Sequence, residues 1–201
     1  MPKLTVGSPR LQQQIDFILE VDKAKGILRS TRVTVADRFE NDGEHSWHVA
    51  LIALVLAEYA PPGIDLLRVI AMLLLHDIVE IDAGDVNVYD EEARVSQPVR
   101  ERLAADRIYG LLPSEQGVEF RNLWEEFEAR ESPEARFAAS IDRLQPLLLN
   151  HHTQGATWRE REVTRDQVVA VNAHIADGSK ELWELASAVI DDARDHGYLE
   201  S

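Results

Sequence analysis

His76-Asp77 closes the apolar run Val69-Ile70-Ala71-Met72-Leu73-Leu74-Leu75. A carboxylate in that setting is costly unless it is paired or held by a cation. Glu80 lies four residues after His76 and three after Asp77, so it shares their helical face. Asp82 and Asp85 follow. Taken alone, these charges would be explained by a helix emerging into solvent. Two further segments repeat the anomaly. His45 and His48 open an Ala/Leu/Val-rich helix, three residues apart. Both can face one metal, or one can bind while the other orients a neighbour. Asp142 interrupts Phe137-Ala138-Ala139-Ser140-Ile141, where the pattern asks for another apolar residue; a surface pair with Arg143 is the plain alternative. Three apolar helices each supplying His or Asp are better explained together, by a divalent metal site. Imidazole with carboxylate suits Zn, Mn, Fe, Co or Ni rather than Ca.

The elements that must position these residues read at helical period nearly throughout. The spacing predicts helices over 11–25, 44–59, 64–81, 97–112, 113–130, 134–151, 165–176 and 179–196. Ser132-Pro133-Glu134 has the composition of a helix start: an N-cap, a first-turn proline and a favourable acid. Residues 29–43 and 85–96 read as long loops, with 31–35 as a possible short extended piece. Residues 154–162 read as a loop around Trp158. Strand signals are otherwise nearly absent. The expectation is all-α: one irregular helical domain of about seven or eight helices over 1–201. The metal-site core would lie at about 11–149, with the helices of 150–201 packed on it.

Composition narrows the partners. The chain has 201 residues, 21 Lys+Arg against 36 Asp+Glu, and a net charge of −15. Such a surface repels phosphate backbones and anionic membranes, which argues against nucleic acid polymers and membrane association. An anionic substrate would need a local reversal of field, from a metal or from bases such as Lys25, Arg29, Arg32 or Arg38. With no cysteine, disulfides, thiolate ligands and Cys nucleophiles are excluded. The longest apolar stretch, residues 49–57, is far short of the ~20 needed to cross a bilayer. No signal-type apolar core stands in the first twenty residues, so a cytoplasmic location is expected.

The order His45, then His76-Asp77, then Asp142 resembles the H…HD…D pattern of the HD-domain metal-dependent phosphohydrolases. The flanks resemble the HD-domain 5′-deoxynucleotidase branch. Arg38-Phe39-Glu40-Asn41-Asp42-Gly43-Glu44-His45-Ser46 is similar to its R-x-E-N-x-x-E-H-S, and residues 76–85 to its H-D-x-x-E-x-x-x-G-D. The resemblance implies one divalent ion per chain (Mn, Co, Mg, Zn, Fe or Ni) on His45, His76, Asp77 and Asp142. It implies Glu80 as the residue that places or deprotonates the attacking water, and Asp85 as its assistant at the sugar–phosphate side. Lys25, with Arg38, would meet the substrate phosphate. Gly26 stands where the bacterial deoxynucleotidases carry a tryptophan associated with sensing the missing 2′-hydroxyl, so that selectivity is not implied here. The activity implied is hydrolysis of nucleoside 5′-monophosphates. The alternatives are another nucleotide or small phosphate ester as substrate, or a metal-binding regulatory module without turnover. A homodimer is the expected assembly. Among the remaining residues, His48 is read as a neighbour of the site. His151 and His152 are read as last-turn residues complementing a helix dipole. Trp124 and Trp183 are read as core or interface anchors, and Trp158 as an exposed aromatic.

Overall fold

The computed structural model describes residues 7–200; residues 1–6 and 201, with the part of the one-domain expectation that falls on them, lie outside it. Helix α1 (Pro9–Val21) runs into a 3₁₀ turn (Asp22–Gly26) and a two-stranded antiparallel hairpin, β1 (Leu28–Arg32) and β2 (Phe39–Asn41). Helices α2 (Asp42–Val55) and α3 (Leu66–Leu75) follow. A 3₁₀ turn (His76–Val79) and the single turn α4 (Glu80–Ala83) lead to α5 (Glu91–Tyr109), α6 (Ser114–Ala129) and α7 (Pro133–His152). Helices α8 (Ala156–Glu160), α9 (Arg165–Asn172), α10 (Ile175–Gly178) and α11 (Lys180–Asp195) complete the chain. Nine helices have five residues or more among the described residues, and the fold is all-α apart from the hairpin. None of them is long and apolar enough to cross a membrane.

Helix α7 is the axis of the core. It packs against α2, α3, α6, α10 and α11. Phe137, Ile141 and Leu144 are wholly buried on it, against Val49 and Ala53 of α2, Val69, Met72 and Leu73 of α3, and Ile190 of α11. Each such large side chain contributes about 1.5–3 kcal/mol of burial. Trp124 is in this core and Trp183 packs on its edge. The start of α7 follows its composition: the Ser132 hydroxyl accepts from the Ala135 amide at 3.1 Å, with Pro133 in the first turn. Gly178 lets α10 lie close on α7, because a Cβ there would collide with the Ser140 hydroxyl and the Arg136 carbonyl.

Four local expectations are corrected. The helix expected over 64–81 breaks at His76. The Tyr109 hydroxyl donates to the Leu75 carbonyl at 2.9 Å, and His76 Nδ1 takes the Leu73 carbonyl at 2.9 Å. Side chains thus engage carbonyls of the last turn, and the chain tightens into 3₁₀ geometry at the pair of chemical interest. The stretch 29–43 is a hairpin rather than a loop, with Arg32 lying over the Phe39 ring at 4.7 Å. Helix α5 begins two turns early because Asp90 caps it, accepting from the Ala93 amide at 2.9 Å. Trp158 is not exposed. It is 1% accessible within α8, which the Thr157 hydroxyl ties to the Ser30 carbonyl at 2.8 Å.

Candidate metal centre and its cavity

Residues Glu40 to His45 build the first part of the site. Asn41 caps α2: its side chain accepts from the Glu44 amide at 3.0 Å, and the Glu44 carboxylate accepts from the Asn41 amide at 3.2 Å. This capping box fixes where α2 starts and so directs His45 into the interior. The break after α3 brings His76 and Asp77 to the same place, and α7 brings Asp142. His45 Nε2 lies 3.0 Å from Asp142 Oδ1 and 3.7 Å from Asp77 Oδ2. His76 Nε2 lies 3.1 Å from Asp77 Oδ1 and 3.4 Å from Asp142 Oδ1. All four side chains are buried.

The hydrogen bonds behind the imidazoles fix their tautomers. His76 Nδ1 faces the Leu73 carbonyl, which can only accept, so Nδ1 carries the proton and donates. Gln145 Nε2 donates to Glu40 Oε1 at 2.6 Å, so its Oε1 must face His45 Nδ1, 3.1 Å away, and accept from it. Once the rings are neutral, as ligation requires, the bare Nε2 of each therefore points at carboxylate oxygens. His76 Nε2 is buried with no hydrogen-bond partner. Lone pairs facing lone pairs call for a cation between them. His45, His76 and Asp142 present ligand atoms within 4.8 Å of one another, and this donor set fits a divalent metal.

A second group of carboxylates adjoins the first. Asp42, Asp77 and Glu80 bring oxygens within 4.8 Å of one another. Arg29, on β1, reaches into them. Its guanidinium hydrogen-bonds Asp77 and lies 3.8 Å from Asp42 and 3.9 Å from Glu40, with the side chain only 13% exposed. Burial acts against the charge on Arg29, but Asp77 and Glu80 outweigh it and raise its pKa. Burial would raise Asp77, but His76 and Arg29 hold it below the usual carboxylate range. Burial, with Asp77 close by, raises Glu80 well above its ordinary value and Asp42 to about 7, against the pull of Arg29. One Glu80 oxygen is buried without a partner.

Above this cluster opens a cavity of about 320 Å³, lined by His76, Asp77, Glu80, Asp85 and Asp142 at one part of its wall. Gly84, at φ 75°, turns the chain after α4 just ahead of Asp85. Burial raises Asp85, with Arg29 opposing. Pro146 also lines the cavity and has no N–H, so the Asp142 carbonyl lacks its α-helical donor.

The structure thus brings His45, His76, Asp77 and Asp142 together, with Glu80 and Asp85 on the same cavity. It does not bring Lys25 or Arg38 there. Lys25 is 72% exposed and paired with Asp22, its neighbour in the 3₁₀ turn. Arg38 is held on the outside of the capping box by Glu44, at 2.6 and 2.8 Å. Neither lines the cavity. His48 Nδ1 lies 3.2 Å from Gln145 Nε2, beside the site. His151 and His152 are in the last turn of α7, where His151 meets Asp192 at 2.6 Å and His152 meets the Leu148 carbonyl at 3.0 Å. Sequence reasoning missed Gln145 as a positioning residue, although a polar residue three places after Asp142 on an apolar face was a visible signal. It named Arg29 only as one of four bases that could reverse the local field; its inward direction depends on the unforeseen hairpin.

An all-helical domain with a His/Asp cluster on three helices defines a class, and comparison with known proteins identifies it. The HD-domain family pattern matches residues 21–183. The chain belongs to the HD-domain family. It is 30% identical to the 5′-deoxynucleotidase HDDC2 of Danio rerio over 112 residues, 56% of this chain and 54% of that protein, so the match spans about half of that relative. The Homo sapiens protein of the same name is 30% identical over 135 residues, 67% of this chain and 65% of that one. A crystal structure of a predicted metal-dependent phosphohydrolase from Magnetospirillum magnetotacticum MS-1 superimposes with a TM-score of 0.92. The two are 50% identical, over 96% of each chain.

Proposed function

We propose that this protein is a metal-dependent phosphomonoesterase that hydrolyses nucleoside 5′-monophosphates, deoxy forms included, to nucleoside and phosphate. The observation that carries the reading is the pair of bare, buried imidazole nitrogens facing Asp77 and Asp142 beside an open cavity. The printed names of the relatives point to the same substrate class. His45, His76, Asp77 and Asp142 would hold one divalent ion. When bound, it would neutralise phosphoryl charge and make water more acidic.

The chain's own groups do the rest. Leu73 and Gln145 hold the two imidazoles with Nε2 turned inward. Glu80 stands one turn past His76, and its unpartnered oxygen can receive a proton from an attacking water. Burial and Asp77 raise its pKa, so it holds that proton more firmly than an ordinary carboxylate and can return it to the leaving alkoxide. Arg29 offsets part of the charge of Asp77 and Asp42, which lessens the floor's repulsion of a dianion. Asp85 faces the sugar–phosphate side. A homodimer belongs to the same proposal, supported by Trp47, Leu51, Leu54 and Val55 exposed together on α2. Sedimentation of the purified chain checks it, and a monomer at high concentration rejects it.

The deciding experiment incubates metal-loaded protein with deoxynucleoside and ribonucleoside 5′-monophosphates, di- and triphosphates, and sugar phosphates. Release of phosphate from the 5′-monophosphates ahead of the others is expected. Preference for another ester would move the substrate, and no turnover on any would reject the enzyme reading.

A further inference from the structure

Lys25 and Arg38 are turned away from the cavity, which leaves open what would receive the charge of a phosphate. Three arginines from separate elements answer this. Arg94 comes from the first turn of α5, Arg130 from the residue that ends α6, and Arg143 from α7; all three line the cavity. Their setting is unusual for this chain. With 36 acids against 21 bases, arginines are readily paired: Arg32, Arg68, Arg107 and Arg121 each sit within 4 Å of a carboxylate. Among the described residues, Arg94 and Arg130 have no carboxylate that near. Arg143 has only Asp142, at 3.6 Å, and its buried Nε lacks a hydrogen-bond partner.

The backbone supports the same point. Arg130 adopts φ 52°, ψ 35°, a left-handed conformation that costs any residue but glycine. Its guanidinium and that of Arg143 repel each other. Burial first, and then Arg143, lowers Arg130; burial, Arg130 and Arg143 take His174 down to about 4. Glu101 and Glu128 share the cavity wall, but neither comes within 4 Å of these guanidinium groups. Burial pushes Glu101 up to about 7, which reduces its counter-charge. Among the described residues, three guanidinium groups on one cavity share a single carboxylate within 4 Å, Asp142, and Arg94 otherwise meets only the Val88 carbonyl at 3.3 Å; in a strongly acidic chain they are short of an anion.

We infer that Arg130 and Arg143, with Arg94 at the rim, form the subsite that binds the phosphoryl group of the substrate. The assignment rests on the phosphomonoesterase reading for the identity of that anion. Arg143 Nε lies 3.6 Å from Asp142 Oδ2 and both side chains line the cavity, so its fork reaches a phosphoryl oxygen presented at the His/Asp cluster. Arg130 closes on the same group from α6. The planar guanidinium matches a tetrahedral oxyanion through paired N–H donors, which a lysine cannot reproduce.

The test measures binding of inorganic phosphate to the manganese-loaded protein by calorimetry, and KM and kcat on deoxynucleoside 5′-monophosphates. The variants are Arg130→Gln, Arg143→Gln and Arg143→Lys, with Arg10→Gln, exposed and paired with Glu115 away from the cavity, as control. Metal content and melting temperature are recorded for each. Phosphate Kd and KM should rise about tenfold or more in both Gln variants. Arg143→Lys should recover part of the loss, and Arg10→Gln should match wild type. If Arg143→Gln loses metal or fails to fold, Arg130→Gln decides, since it is remote in sequence from every proposed ligand. Phosphate binding within twofold of wild type in a metal-replete Arg130→Gln overturns the subsite, as does wild-type protein with no saturable phosphate binding. Arginine-dependent phosphate binding without turnover on any monophosphate keeps the subsite and removes the esterase reading. Turnover with arginine-independent Kd and KM does the reverse.

Discussion

Gln145 is wholly buried and spans three groups of the site. It donates to Glu40, accepts from His45 and approaches His48. Gln145→Leu keeps much of the volume and removes both firm hydrogen bonds. It leaves Glu40 Oε1 and His45 Nδ1 buried without partners, at about 1–3 kcal/mol each, or about 2–6 kcal/mol together. A protein of this size loses about 2–4 °C of melting temperature per kcal/mol, so a drop of about 4–24 °C is expected. Freed of its acceptor, His45 can rotate or carry its proton on Nε2, and metal affinity should fall about 10–100-fold. Gln145→Glu separates the two effects. Its carboxylate still accepts from His45 but meets Glu40 head-on, where 2.6 Å now separates donor from acceptor. One of the two acids must then stay protonated, so the variant should bind metal better than Gln145→Leu and lose stability as pH rises. Melting with and without metal, plus competition with a chelator, measures both quantities. A Gln145→Leu protein that melts within about 2 °C of wild type and binds metal equally well would refute the assigned tautomers.

The remaining predictions concern the cluster itself. Asp77→Ala combined with Asp142→Ala should abolish stoichiometric metal by elemental analysis; an unchanged ion in that variant places the site elsewhere. Glu80→Gln should keep its metal while turnover falls about 10²–10⁴-fold, and normal turnover would move the base role to Asp85. Metal affinity should weaken as pH is lowered. Burial pulls His76 down, but Asp77 and Asp142 outweigh it and raise it to about 10 in the metal-free protein, so binding must displace a proton. The same shift stabilises the metal-free fold fully below the ordinary histidine pKa of about 6.5, and that contribution fades as pH climbs through about 10. Calorimetry in buffers of different ionisation enthalpy, and melting from pH 6 to 10, would show a flat response if the imidazoles were already neutral.

His45, His76, Asp77 and Asp142 were legible because each violates an apolar helical pattern, and a violated pattern needs only one dimension to be seen. The frame was legible for the same reason, since α2, α3 and α7 follow their apolar periodicity. What stayed hidden depends on contacts distant in the chain. Arg29 turns inward only because β1 pairs with β2, which runs directly into α2. Trp158 is buried only because Thr157 reaches back to Ser30. Lys25 followed from similarity in an adjoining segment, yet the 3₁₀ turn gives it to Asp22. The His76 break required knowledge of Tyr109, 34 positions further on.

The close seat of α10 on α7 has a consequence for how small this protein can be made. The Ser140 hydroxyl, two residues before Asp142, lies 3.1 Å from the Ile175 carbonyl and 2.8 Å from that of Arg136. Helix α11 packs on the same helix, and Glu200 returns to the backbone at Val163. Every recognisable motif ends by Leu149, so a fragment cut there would keep all the chemistry on paper. It would also strip one side of the helix that aims Asp142. The functional unit is therefore longer than its signature, and the final fifty residues act as the back wall of a vice whose front jaw is the site.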